Sequence, residues 1–118
     1  MTEGQEQQAI MQWADLAQGK YPELALLHHI PNGGKRDKVT AAILKREGVK
    51  PGVPDLCLPV PRGGYHGLYL ELKAGSNVPT VKQLWWLEQL SAQGYWATWC
   101  GGADEAIHII KKYLEGDR

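Results

Sequence analysis

Phenylalanine is missing from the 118-residue chain, and cysteine occurs only twice, at Cys57 and Cys100. Without Phe, the aromatic part of any core must come from five Trp and five Tyr, whose polar groups need partners when buried. Two cysteines with no CxxC and no Cys/His spacing are too few for a disulfide scaffold and wrong for a structural zinc site. They fit a reducing compartment, and we expect a soluble cytoplasmic protein. Net charge is missing too: Lys+Arg and Asp+Glu each total 13. That excludes a uniformly basic coat for nucleic acid but leaves room for a local basic patch. No apolar run approaches the roughly 20 residues of a membrane helix. The opening Met1-Thr2-Glu3-Gly4-Gln5 is polar and acidic, unlike a targeting segment. What is present, 43% hydrophobic and 22% charged residues without repeats, suits one globular domain over 1–118.

Periodicity and punctuation give the order helix, strand, helix, strand, strand, helix, strand, helix. A helix is expected over about 5–18, with Ile10, Trp13 and Ala17 on one stripe. A short apolar run, Leu24 to Ile30, suits a strand, and Lys38 to Glu47 a second helix closed by Gly48. Asp55 to Val60 and Gly67 to Lys73 read as strands joined by the turn Pro61-Arg62-Gly63-Gly64, hence an antiparallel hairpin. Thr80 is a plausible N-cap for a helix to about Gln93, Tyr95 to Cys100 a strand, and Asp104 to Leu114 the last helix. The strand-helix-strand unit predicts a parallel crossover. The fold class is therefore α/β, a mixed β-sheet flanked by helices. Trp85, Trp86, Leu87 and Leu90 are expected in core or interface. Trp96 and Trp99 should point to opposite faces of their strand, leaving one exposed.

One constellation carries chemistry: Pro54-Asp55, a turn, then Glu71-Leu72-Lys73. Strand alternation puts Tyr69, Glu71 and Lys73 on one face and Leu68, Leu70 and Leu72 on the other. If Asp55 starts the neighbouring antiparallel strand, its carboxylate comes close to Glu71. Two carboxylates forced together repel, and a hard divalent cation relieves the repulsion. Lys73 would stand beside such an ion, ready to stabilise developing negative charge or help take a proton from water.

These residues, in the order GVPDL, LYLELK, Q, L and GY, resemble the PD-(D/E)XK nuclease superfamily. Within it, the chain is similar to the stand-alone VRR-NUC (virus-type replication-repair nuclease) family, from the Gln-rich first helix through IPNGGKR and GVKPGVPDL to QLWWLEQLSAQGY. The resemblance implies a metal-dependent endonuclease of restriction-endonuclease-like fold, using Mg²⁺ or Mn²⁺. Carried over, Asp55 and Glu71 would be metal ligands, Lys73 the catalytic lysine, and the backbone carbonyl of Leu72 a further ligand. A glutamine at Gln83 would point back at the site to hold phosphate or orient water. The family also implies a homodimer acting on branched DNA such as four-way junctions, in a bacterial or phage-infected cell.

For the first-helix acid, position at 100° per residue places Glu6 in the sector of Ile10, Trp13 and Ala17, where a carboxylate needs a partner. Glu6 is therefore chosen as third ligand, directly or through water, with Glu3 as the alternative. Gln7 could hydrogen-bond a site water. The stretch Lys35, Arg36, Lys38, Lys45, Arg46 and Lys50 holds six of the thirteen basic residues, against only Asp37 and Glu47, and reads as a phosphate-contacting patch. Asn32, Gly33 and Gly34 ahead of it could bring backbone N–H groups to a phosphate. His28, His29, His66 and His108 are read as structural. The rival readings are a non-catalytic nucleic-acid-binding module using the basic patch, and an interaction domain with a tryptophan-lined interface.

Overall fold

The computed structural model describes residues 1–32 and 36–116. Four strands form one mixed sheet in the order β1-β2-β3-β4: β1 (His28–His29), β2 (Leu56–Leu58), β3 (Leu68–Lys73) and β4 (Trp96–Gly101). β1 and β2 pair antiparallel, as do β2 and β3, whereas β3 and β4 are parallel. The helices are α1 (Glu3–Ala17), α2 (Lys38–Arg46), α3 (Val81–Ala92) and α4 (Ala103–Leu114). The mixed sheet, the hairpin and the crossover through α3 are as the sequence pattern predicts.

The register follows from the leucines. Leu56 pairs with Leu70, and Leu58 with Leu68. A slip of one residue would turn this whole set out of the core. Leu56, Leu58, Leu68, Leu70 and Leu72 are all buried, each worth about 1.5–3 kcal/mol of transfer free energy. They pack with Ile10 and Ala14 of α1 and Ala106 and Ile110 of α4. Trp13 and Ala17 lie partly buried against that cluster. The buried Tyr113 finds its partner in the Val60 carbonyl, to which its hydroxyl donates.

α1 begins at Glu3, earlier than expected, because Thr2 caps it: the Thr2 hydroxyl accepts from Gln5 N and the Gln5 side chain accepts from Thr2 N. The expected strand over Leu24 to Ile30 is instead a 3₁₀ turn at Pro22–Leu26 followed by the two-residue β1. Pro22 presets φ at the first position of that turn, and Leu24 and Leu27 are buried three residues apart, the 3₁₀ spacing. β2 is shorter than expected, with Asp55 just ahead of it and Pro59 just beyond.

Besides Leu16 at the end of α1, two further helices show apolar side chains to solvent. No residue of α2 is buried, although it carries Val39 and Ile43 at i, i+4. α3 packs against β4 and buries only Leu87. Trp85 of α3 is 51% exposed, contrary to the expectation of a core residue, because Leu87 rather than Trp85 faces the sheet. Of the two strand tryptophans, Trp99 is the exposed one.

The loop before β2 is seated on α3 through Gly52, at φ +89. A Cβ there would lie 2.6 Å from Lys82 Cγ, 3.0 Å from Trp86 Cδ1 and 3.2 Å from the Lys82 backbone carbon. Gly48, at φ +99, has open space around it. Gly52→Ala should therefore cost both backbone strain and a clash, about 2–3 kcal/mol, and lower Tm by about 10 °C. Gly48→Ala should cost strain alone, about 1–2 kcal/mol. Equal Tm losses in the two thermal melts would refute the close packing at Gly52.

Candidate active site

β3 is the central positioning element. Its partner β2 begins at Leu56, opposite Leu70, so the residue before it, Asp55, reaches the level where β3 continues as Glu71-Leu72-Lys73. Asp55 Oδ2 accepts a 2.7 Å hydrogen bond from the Leu72 N–H, taking the place of the next ladder bond. The Asp55 backbone carbonyl is held in turn by Ile30 N–H and by His29 Nδ1, each at 2.8 Å. A carbonyl only accepts, so His29 Nδ1 carries the proton.

Glu71 is 1% exposed, and its Oε1 has no hydrogen-bond partner. Its Oε2 lies 3.5 Å from Lys73 Nζ, which is itself buried. Burial first, then the negative charge of Asp55, push the Glu71 carboxyl up to about 8, with Lys73 opposing. The Asp55 and Glu71 carboxylates therefore act on each other at close quarters. The same negative field reaches Cys100, whose thiol is pushed up to about 12 by burial, then by Glu105, Asp55, Glu71 and Glu6. That makes Cys100 an inert core residue rather than a nucleophile.

The two first-helix acids take different positions. Glu3 Oε2 lies 3.9 Å from Lys73 Nζ, and Glu3 lines a cavity of about 410 Å³ together with Gln7, His29, Asn32, Asp55 and Leu72. Glu6 turns inward, as its helical position predicts, but its Oε2 accepts from Ala103 N–H at 3.3 Å. Gly102 offers no side-chain cap to α4, so Glu6 supplies the acceptor at that positive helix end. Of the two first-helix acids, Glu3 is thus the one whose carboxylate lies beside Lys73, while Glu6 meets the start of α4.

Gln83 is the third residue of α3, and its side-chain oxygen accepts from Thr80 N–H in a capping box. Its carbonyl end is thus held at the helix terminus. Its amide nitrogen remains the donor end. Arg36, Lys38, Lys45, Arg46 and Lys50 are all exposed, and Asn32 lines the cavity. Lys35, Gly33 and Gly34 lie outside the described residues. His29 is the cavity residue that sequence reasoning set aside. Its signal was its place on an edge strand whose neighbour leads into Asp55.

Among the described residues no three His, Cys, Asp or Glu side chains gather closely enough to form a metal cluster by themselves. The donors that fit a cation are fewer: the unpartnered Glu71 oxygen, the Asp55 carboxylate and a carbonyl at Leu72. In a strand, the N–H and C=O of one residue face the same edge, so the Leu72 carbonyl faces the Asp55 side. One or two carboxylates, a carbonyl and waters are a donor set that Mg²⁺ or Mn²⁺ takes.

Comparison with known proteins gives two findings. The family model for the VRR-NUC domain matches residues 1–104. A solved VRR-NUC domain protein superposes with a TM-score of 0.81 at 35% identity, covering 98% of this chain and 89% of its own. A search of curated proteins finds no match.

The upward shift of the Glu71 pKa has a sign that can be measured. Above its ordinary value of 4.5, the unfolded chain gives up the proton while the folded chain keeps it up to about 8. Folding stability in EDTA should therefore fall as pH rises through that window, by roughly 2–4 kcal/mol from this one group. In Glu71→Gln this contribution should vanish, flattening the fall of the urea midpoint between those pH values. Parallel pH curves for the two proteins would show that Glu71 is not held protonated.

Proposed function

Because the chain belongs to the VRR-NUC family of nuclease domains, we propose that it is an endonuclease that needs Mg²⁺ or Mn²⁺ and hydrolyses phosphodiester bonds in DNA. The observation that carries this reading is the buried carboxylate of Glu71, one oxygen unpartnered, set against Asp55 and 3.5 Å from Lys73. A structural ion pair would satisfy both oxygens; an arrangement that leaves one bare beside a second acid is built to receive a cation. When bound, the cation lowers the pKa of water and neutralises charge on the phosphate.

The chain's own groups supply the rest. Asp55, Glu71 and the Leu72 carbonyl hold the ion, and Glu3 adds a carboxylate from the end of α1. Lys73, held between Glu71 and Glu3, stabilises the negative charge that develops as water attacks phosphorus in line with the leaving 3′ oxygen. The Gln83 amide nitrogen donates toward the phosphate. Lys35, Arg36, Lys38, Lys45, Arg46 and Lys50 meet phosphates of the DNA, and Asn32 does so at the cavity rim. Contacts of this type position DNA without reading its sequence. Recognition by shape, as in branched DNA and four-way junctions, fits such a surface.

Two copies acting together suit a four-way junction, and α2 provides a surface for pairing. Its Val39 and Ile43, 72% and 40% exposed, are covered when a second copy packs against them. Sedimentation should show a dimer that Val39→Asp with Ile43→Asp converts to a monomer. A wild-type monomer at working concentration overturns the pairing.

Cleavage is tested on a panel of junction, flap and single-stranded substrates with Mg²⁺, Mn²⁺ or EDTA. Asp55→Ala, Glu71→Ala and Lys73→Ala should each lose about 10²-fold or more in rate, with circular dichroism unchanged. Glu3→Gln should lose activity at nearly wild-type Tm, whereas Glu6→Ala should destabilise the fold through the lost cap, by about 1 kcal/mol. Full activity in Lys73→Ala would defeat the assignment. DNA binding with no product in any metal would make the chain a binding module only.

A further inference from the structure

Away from the acids, a second cavity of about 400 Å³ opens where α3 meets the segment following α2. Its walls include Lys45, Lys50, Pro51, Lys82, Trp85 and Trp86. The volume is within the usual range for small-ligand sites, about 300–1,000 Å³. Among the described residues no carboxylate lines it. The two indoles stand edge to face, with centroids 5.7 Å apart at 89°. Trp86 is fixed as a wall, because its Nε1–H donates to the Pro51 carbonyl at 3.1 Å. Trp85 is half-exposed, and Lys82 Nζ sits 5.7 Å from its ring centroid. A half-exposed indole in a cavity lined by three lysines matches a ligand that is both flat and anionic.

The cavity lies along the chain from the acidic site. The neighbouring depression shares Val49, Lys50 and Trp86 with it and continues to Ile30 and Pro31. His29 and Asn32, the residues flanking those two, already line the Glu3–Asp55 cavity. Lys50 is five residues from Asp55, so their Cα atoms are at most about 18 Å apart. That is a span of a few nucleotides.

We propose that this cavity holds an unpaired nucleotide of the DNA strand flanking the cut, its base stacked on Trp85 and its phosphates met by Lys45, Lys50 and Lys82. The proposal rests on the nuclease reading only for which DNA arrives there. A base from a paired duplex cannot enter, so the cavity selects DNA that frays, branches or ends near the cleavage point.

The test is tryptophan fluorescence of the full chain titrated with a short oligothymidylate in EDTA, where no cutting occurs. The oligonucleotide should quench emission and bind more tightly than a blunt duplex of equal length. Trp85→Ala should weaken binding about 10- to 100-fold, while Trp85→Tyr retains most of it. Lys82→Ala should lower the salt dependence by about one phosphate contact. Undiminished binding by Trp85→Ala, or equal loss in Trp85→Ala and Trp85→Tyr, overturns the proposal. So does a dimer-to-monomer shift in Trp85→Ala with binding unchanged, which would give the cavity to a second copy of the chain. Because binding is read without metal, these results stand apart from the cleavage assays. A chain that cuts junctions but fails here remains a nuclease without this subsite.

Discussion

The arrangement turns on two acidic groups kept close where water is scarce. Glu71 sits on the central strand, and Asp55 reaches it from the end of a neighbouring strand by bonding to the Leu72 N–H. Neither position is free to relax. The leucine pairing that builds the core fixes the register of β2 on β3, and that register decides what stands opposite Glu71. Apolar burial on one side of the sheet thus holds an electrostatic conflict on the other. The conflict persists because the leucine face outweighs it.

α1 serves this centre in two ways with two acids one helical turn apart. Glu3 faces Lys73, and Glu6 caps α4 at Ala103. α4 follows β4 with only Gly102 between them, and Gly102 N–H bonds to the Lys73 carbonyl. The end of β3, the start of α4 and the first turn of α1 therefore meet around one lysine. No helix among the described residues is long and apolar enough to cross a membrane, and the apolar face of α1 is used instead against α4 and the sheet.

Much of this was legible in the sequence. Alternation along GLYLELK put the leucines inward and Glu71 with Lys73 on the other face. The turn at Gly63-Gly64 implied a hairpin that brings Asp55 alongside. These inferences rest on a period of two and a short connection, which leave few alternatives. The first-helix acid was harder. Angular position gave the sector of Glu6 correctly, but sector does not tell what the carboxylate meets, and the partner was a helix end ninety-seven residues away. Pro22 turned an apolar run into a 3₁₀ turn because backbone restriction outweighed weak strand propensity. Trp85 looked like core by composition. Its exposure depends on which side of α3 meets β4, which a short helix with apolar residues all round does not reveal.

The capping box at Thr2 has a reach beyond its own turn. Glu3 is the first residue of α1, in the part of a helix that unwinds most readily. Its carboxylate is aimed only while that turn stays wound, and the winding is secured by a hydroxyl that touches no acid of the site. A neutral threonine thus governs how often the site is whole. Heat or denaturant that melts a single turn would carry the Glu3 carboxylate away from Lys73 well before the sheet gives way.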